Sequence, residues 1–404
     1  ARQFVWKGLN IMGEHIVLGF GNNIDYEIVG NSHVFEQLIT NFSIKKSEIC
    51  NNNPINSVRD LIISILGFLK NGTGGERFVA IPQIIEDFAV HFEKKITIGG
   101  TSVRAAVAMR KLGYTSALHL VTINDHVRKL IPHDSPWVCS SQTEHSYPHL
   151  IIQFNKHTMV LAGDITIDTV RANRIIYDND PDNIMMKLNP DLALLASDAK
   201  VFLVSGFNAM QSRELLNDRM LTLRNIMKSL PSETLVFYED ACFHKPAFSK
   251  QIRDALLDVI DIYSMNEDEL QGHLGRNINL LAPDEIFVAL KDIHQLITVP
   301  LLVVHTKYWA LAFGSDASQY AQALKGGITM ATTRFRYGDD FSDIEYLETE
   351  KLPEESEGAD FVLALQGLAG DNVCCLPSVE VKESKVTTIG LGDAFVGGFL
   401  PSLV

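Results

Sequence analysis

Thr388-Ile389-Gly390-Leu391-Gly392-Asp393 runs into a helical pattern from Ala394 to Leu400, and residues of these types at this spacing can do proton and phosphate chemistry. Glycines let a backbone approach an anion closely, and a helix amino terminus offers free N–H groups and the positive end of a dipole. An aspartate at that point can take the proton of an attacking hydroxyl while the amides stabilise charge on a transferring phosphoryl group. The same segment also reads as an ordinary helix with Asp393 as its N-cap.

Further carboxylates accompany it. Asn266-Glu267-Asp268-Glu269 opens a helix behind an apolar run. Asn266 and Glu269, three residues apart, share a face of the first turn. A carboxylate there can hold Mg2+ directly or through waters; the alternative is a capping pair, with Asn266 at the N-cap and Glu269 three residues on. Glu239 and Asp240 end another apolar run, and Asp25 follows the first one. Asp25 is placed to hydrogen-bond sugar hydroxyls. Gly99-Gly100-Thr101 precedes a helical pattern, either as a close approach for a ligand or as a tight turn capped by the threonine. His305, at a strand end, reads most simply as a satisfied core histidine.

Strands must carry these residues. Apolar β-type runs at 15–19, 116–122, 200–205, 234–238, 261–265 and 300–305 alternate with helical patterns at 101–112, 211–229, 246–259, 266–274 and 283–297. That rhythm predicts an α/β fold with a mainly parallel sheet covered by helices on both faces. Such sheets bind ligands beyond the carboxyl ends of their strands, where most of the candidates fall. Two stretches, about 22–50 and 145–180, alternate apolar and polar residues instead. They predict a small half-wet sheet outside the main core, a discontinuous lid able to close over a substrate. The run from Val58 to Leu69 predicts a core helix, and the acidic stretch from Asp343 to Glu357 a solvated loop.

Bulk properties exclude several classes. The 404 residues suit one large α/β domain with a smaller appendage. A net charge of −14 argues against a nucleic-acid surface, yet leaves room for a nucleotide phosphate held by a few amides. Five cysteines, an odd number without a C-x-x-C pair, predict reduced thiols and a cytoplasmic protein. Neither a leader pattern nor an uncharged run of about 18 apolar residues is visible, which predicts a soluble chain without a membrane partner. Nothing matches G-x-x-x-x-G-K-[ST], H-E-x-x-H or G-x-S-x-G, and Ile24 stands where a third glycine after Gly19-Phe20-Gly21 would make a dinucleotide fingerprint.

Taken together, Asp393, Asn266 and Glu269 make the chain resemble ribokinase-type kinases and, more narrowly, the ADP-dependent sugar kinases (glucokinases and 6-phosphofructokinases). The resemblance rests on Gly19-Phe20-Gly21-Asn22-Asn23-Ile24-Asp25, Gly75-Glu76-Arg77-Phe78, Gly99-Gly100, Ala172-Asn173-Arg174-Ile175-Ile176, Asn266-Glu267-Asp268-Glu269, Val304-His305-Thr306 and Gly390-Leu391-Gly392-Asp393, in family order from Gly19 to Gly398. It implies a ribokinase-like three-layer sandwich over residues 1–404. The implied reaction is Mg2+-dependent transfer from ADP to a hexose or hexose phosphate (glucose or fructose 6-phosphate), giving AMP and a sugar phosphate. Asp393 then matches the catalytic base on the metal-facing side, with Gly390, Leu391 and Gly392 as the anion hole. Glu269 and Glu239 match the metal-side glutamates, and Asn266, His305 and Thr306 nucleotide positions. Asn23, Asp25, Glu76, Gly99, Gly100 and Thr101 match sugar positions, and Arg174 an arginine turned toward phosphate. Phe237 replaces a family histidine, and Thr101 a family amide. Glu76 suits an uncharged sugar, whereas Arg171 and Arg174 suit a phosphorylated one. The alternatives are an ATP-dependent ribokinase-like kinase of another sugar or nucleoside, and a non-catalytic sugar or nucleotide sensor.

Overall fold

The structure is a computed structural model that describes residues 15–170, 172–382, 387 and 389–404; Arg171 and Thr388 lie outside the described residues. In chain order its first strands are β1 (Ile16–Leu18), β2 (Asn23–Val29), β3 (Gly75–Phe78), β4 (Lys95–Gly99), β5 (Ala117–Leu120), β6 (Trp137–Cys139), β7 (His149–Phe154) and β8 (Met159–Ala162). The remainder are β9 (Ile165–Asp168), β10 (Asn173–Asp178), β11 (Val201–Val204), β12 (Leu235–Glu239), β13 (Ile262–Asn266), β14 (Leu301–His305), β15 (Trp309–Gly314) and β16 (Val373–Pro377).

Nine strands form one sheet in the order β16-β15-β14-β13-β12-β11-β1-β5-β6. All neighbours from β14 to β6 are parallel. The apolar runs of β1, β5, β11 and β14 are buried along their length, as strands covered on both faces must be. β1 shows the two faces directly: Ile16 and Leu18 pack into one core and Val17 into the other. Helices Arg213–Lys228, Pro246–Leu256 and Pro283–Leu296 supply side chains to the second core. Helices Thr101–Lys111, Ala321–Tyr337 and Leu391–Phe399 cover the other face. The α/β expectation stands, with one addition at the edge. β15 and β16 run antiparallel to their neighbours. After His305 the chain reverses at once, because the Thr306 hydroxyl accepts from the N–H groups of Tyr308 and Trp309 at 3.1 Å, so no crossover helix follows β14.

A second sheet, β3-β10-β7-β2-β4, stands apart from the first. Its register places Asn23 opposite Gly99, Asp25 opposite His149, Ile151 opposite Ile176, and Ile176 opposite Glu76. Paired residues share a face, so one side of this sheet is mostly polar. The other side presents Ile24, Tyr26, Ile28, Leu150, Ile152 and Tyr177 to helices Ser32–Asn41 and Val58–Asn71. Phe35 meets Phe154 at 5.6 Å between ring centroids, and the Ser64 and Tyr177 hydroxyls lie 2.9 Å apart. The helix expected over Val58 to Leu69 is this one, begun by the Ser57 cap and ended at Gly72.

Two expectations need correction. The half-wet sheet is not confined to 22–50 and 145–180; it also takes β3 and β4, whose four and five residues are too short for alternation to show alone. The acidic stretch is no simple solvated loop, because Asp343–Thr349 is a helix with a Ser342/Glu345 capping box, and helix Ser356–Ala369 follows. Acids in a first turn favour the helix dipole. All five cysteines are free thiols, and no helix among the described residues is long and apolar enough to cross a membrane.

Candidate active site

The carboxyl ends of the parallel strands and the polar face of the second sheet enclose a cavity of about 800 Å3. From the main sheet it is lined by Gly21 after β1, Gly206 after β11, Glu239 and Asp240 at β12, Asn266 to Glu269 at β13, and His305 and Thr306 at β14. The chain passes from β1 to β5 on one side, while β11 to β14 extend the sheet on the other. That reversal of strand order is where open α/β sheets bind ligands.

Gly390, at φ +64°, turns the chain into helix Leu391–Phe399, so Asp393 is the third helical residue rather than the N-cap. Gly390, Leu391, Gly392 and Asp393 all line the cavity. The first N–H groups of a helix lack intrahelical partners, so this turn offers amides and a dipole end to an anion. Asp393 Oδ1 accepts a hydrogen bond from the Thr101 hydroxyl at 2.8 Å. Its Oδ2 faces Arg104 Nε at 3.6 Å. Arg104 is 7% exposed; its Nη2 donates to Asp25 Oδ2 at 2.7 Å and lies 3.7 Å from Glu27 Oε1. Burial works against its charge, but Asp25, Asp393 and Glu27 hold the guanidinium above the ordinary arginine range. The sequence reading passed over Arg104, although a charge inside the run Val103-Arg104-Ala105-Ala106 was the available signal. A second buried arginine, Arg334, donates to the Ile389 carbonyl at 2.8 Å and braces the turn. Burial first, then the Arg104 charge, bring it down to about 10.

The ends of β12 and β13 carry an acidic group. Asn266 Oδ1 accepts from the N–H groups of Asp268 and Glu269 at 2.8 and 3.0 Å, and Glu269 Oε2 accepts from the Asn266 N–H at 2.8 Å. The capping pair is therefore real, and it aims Glu269 along the cavity wall. Burial, then the charges of Asp240 and Glu239, push the Glu269 carboxyl well above the usual carboxylate range. Asp240 Oδ2 accepts from the Tyr263 hydroxyl at 2.9 Å and lies 2.5 Å from His273 Nε2. Arg253 Nη1 sits 3.0 Å from His273 Nδ1; a guanidinium only donates, so Nδ1 is the acceptor and Nε2–H serves Asp240. Glu239 Oε1 lies 3.2 Å from His305 Nε2, and its Oε2 is buried without a partner among the described residues. Phe237 packs on Phe399 at 5.5 Å between centroids. The imidazole beside Glu239 thus comes from β14, two strands away, rather than from position 237. Among the described residues, no three His, Cys, Asp or Glu side chains are grouped closely enough to hold a metal ion on their own.

On the second sheet, Asn23, Asp25, Glu76, Gly99, Gly100, Arg174, His149, Ile151, Ile176 and Asp178 reach the cavity, and Thr101 joins them from the helix after β4. Asp25 is gripped by Asn23 Nδ2 at 2.6 Å as well as by Arg104. His149 and Asp178 carried no motif. Burial opposes the His149 charge, but the Asp180 hydrogen bond and the carboxylates of Asp178, Asp180 and Asp25 hold it up at about 9. Burial raises the Asp178 carboxyl despite His149 and His244 nearby. Of the residues expected at the nucleotide, Asn266 spends its side-chain oxygen on the cap and Thr306 its hydroxyl on the β14–β15 turn, while the His305 ring stacks on Phe395 at 4.5 Å. Apolar Ala310, Ile328, Ala331, Phe335, Val379 and Ile389 also line the cavity, with Thr332 and Ser378 between them in sequence. No sequence motif marks these residues.

Comparison with known proteins agrees with this fold. The family described as the ADP-specific phosphofructokinase/glucokinase conserved region matches residues 14–400. No curated protein matches the chain. Among solved structures, a phosphofructokinase from Pyrococcus horikoshii OT3 with AMP is 18% identical, with a TM-score of 0.78 over 97% of this chain and 98% of that one. The last common ancestor of ADP-dependent phosphofructokinases from Methanosarcinales is 15% identical, with a TM-score of 0.73 over 97% and 94%. An ADP-dependent kinase complex with fructose-6-phosphate and ADPβS is 14% identical, with a TM-score of 0.72 over 96% and 93%. At these identities the likeness is one of fold.

Proposed function

The chain belongs to the ADP-specific phosphofructokinase/glucokinase family of sugar kinases, and from that premise we propose that it transfers the β-phosphoryl group of ADP to a hexose hydroxyl. The observation that carries this reading is Asp393 in the first turn of a glycine-led helix, in a cavity also lined by strand-end carboxylates, the polar face of the second sheet and apolar side chains. Asp393 takes the hydroxyl proton as the new O–P bond forms. The bond from the β-phosphorus to the bridging oxygen breaks, and its electron pair leaves with AMP. Amides at Gly390 to Gly392 meet the charge on the group in flight. The apolar side chains around Ile328 and Phe335 fit the base ring, and the second sheet the sugar.

Glu239 and Glu269 fit a divalent cation held through waters: one Glu239 oxygen is buried and unpartnered, and Glu269 suffers repulsion from Asp240 and Glu239. Mg2+ bound there supplies neutralising charge to the phosphate oxygens, a role suited to an ion that keeps much of its hydration shell. Glu76 and Arg174 lie on neighbouring strands of the same polar face. The carboxylate favours an uncharged hexose and the guanidinium a phosphorylated one.

The test is AMP release measured with ADP or ATP against glucose and fructose 6-phosphate. Turnover with ADP and one of these hexoses supports the reading. Turnover only with ATP and a pentose or nucleoside would replace it.

A further inference from the structure

A buried guanidinium that leaves a donor unused is unusual, because burying a charged group without its hydrogen bonds costs more than a typical bond returns. Arg104 does this beside the base. Nη2 is spent on Asp25, and Nε faces Asp393 at 3.6 Å, but Nη1 is buried with no partner among the described residues. The arginine lines the cavity. Its location is defined by Gly390: a Cβ added there would lie 2.7 Å from Nη1, 3.1 Å from Cδ and 3.2 Å from Cζ. The free donor therefore lies against the first residue of the turn whose amides face the incoming anion.

We infer that Arg104 is a catalytic residue, whose Nη1 donates to an oxygen of the transferring phosphoryl group while Nη2 and Nε hold Asp25 and Asp393 in register. The inference rests on the phosphotransfer reading above. The rival role is plain neutralisation, since Asp25, Glu27 and Asp393 place three acids around one arginine. Neutralisation, however, uses Nη2 and Nε and leaves Nη1 idle. The planar fork also separates the two roles: a lysine supplies the charge but cannot reach Asp25, Asp393 and a phosphoryl oxygen together. As Asp393 takes the hydroxyl proton, the acid group around Arg104 loses one negative charge. The guanidinium field is then turned toward the phosphoryl oxygens. No proton leaves Arg104 in this step.

The experiment compares the parent with Arg104→Lys and Arg104→Gln, the first keeping the charge in case the second does not fold. Two readouts are taken: turnover with ADP, Mg2+ and hexose, and calorimetric binding of orthovanadate in the presence of AMP, which needs no turnover. Arg104→Lys should unfold within a few degrees of the parent and keep the KM for ADP within about threefold. Its kcat should fall about 100-fold, as on loss of an oxyanion donor, and its vanadate affinity at least tenfold. A kcat within threefold and unchanged vanadate binding would make Arg104 a neutraliser and overturn the inference, leaving the kinase reading intact. A parent without ADP turnover, but with vanadate binding that Arg104→Lys abolishes, would remove the kinase reading and keep the anion contact. A parent that does not bind vanadate overturns the inference as well.

Discussion

Replacing Gly398 by alanine tests whether Asp393, the proposed base, is placed by the helix that carries it. Helix Leu391–Phe399 is wedged between Thr101–Lys111 and Ala321–Tyr337, and two glycines let it fit. A Cβ on Gly398 would stand 2.2 Å from the Gly326 carbonyl oxygen, about 1.2 Å inside ordinary contact at 3.4 Å. Retreat is blocked, because Gly397 already brings the helix against the Ala105 carbonyl, 2.8 Å from where its own Cβ would sit. Asp393 lies about 7.5 Å along the same helix. A tilt that passes half the shift to it would pull Asp393 off the 2.8 Å contact with Thr101. Overpacking of this kind costs about 1–3 kcal/mol, and a displacement near 1 Å at the reacting group about 100-fold in rate. Gly398→Ala should therefore lower kcat by about 10- to 100-fold with both KM values within about threefold. The unfolding midpoint should drop by about 1–4 °C. Gly367 is the control, a helical glycine with nothing within 4 Å of an added Cβ; alanine there should gain up to about 1 kcal/mol and leave kcat alone. Steady-state kinetics and calorimetry read both. A Gly398→Ala protein with parental kcat and midpoint would refute the idea that close helix packing sets the position of Asp393.

Asp393→Asn keeps the size and the Thr101 contact but removes the proton acceptor, so kcat should fall at least about 100-fold with nucleotide binding still measurable by calorimetry. Residual turnover within a few fold of the parent would sink the base role. Because the Glu269 carboxyl is raised above its ordinary value of 4.5, the folded state holds a proton that the unfolded chain releases, and stability falls as pH rises past that value. Glu269→Gln keeps an acceptor for the Asn266 N–H, so the metal-free variant should melt higher than the parent at pH 8, with the gap closing toward pH 4.5. Mg2+ should stabilise the parent more than this variant; equal metal responses would argue against Glu269 on the metal side. His149 has the same pH slope over a different window: raised from 6.5 to about 9, it contributes stability that is complete below pH 6.5 and lost as pH rises through 9. His149→Gln should cost at most about 3 kcal/mol near pH 6 and little above pH 10, and a loss that does not vary with pH would contradict the assignment.

Long, one-dimensional patterns were legible without coordinates. The parallel strands are nearly continuous apolar runs, and the helices between them carry a 3.6-residue rhythm, so β1, β5 and β11 to β14 could be placed within a residue or two. Glycine and capping chemistry is local too, which is why Gly390 to Asp393 and Asn266 to Glu269 stood out. β3, β4 and β16 did not stand out, because four or five residues are too few for alternation to outweigh chance. The acidic stretch misleads for another reason: its charge suggests solvation, although a serine and a glutamate three residues on spell a helix start.

The sequence by itself therefore determined the fold class, the turn that carries Asp393 and the carboxylates at the strand ends, since each depends on neighbours within a few residues. Only the tertiary structure decided what surrounds them. Arg104 joins Asp25 to Asp393 across residues 79 and 289 positions away from it. His305 reaches Glu239 from two strands over, and the Thr101 hydroxyl meets Asp393 from the start of another helix. Contacts like these depend on which strand ends and helix starts the sheet order brings together. Side-chain hydrogen bonds act over about 3 Å of space, and nothing in the spacing along the chain encodes that distance.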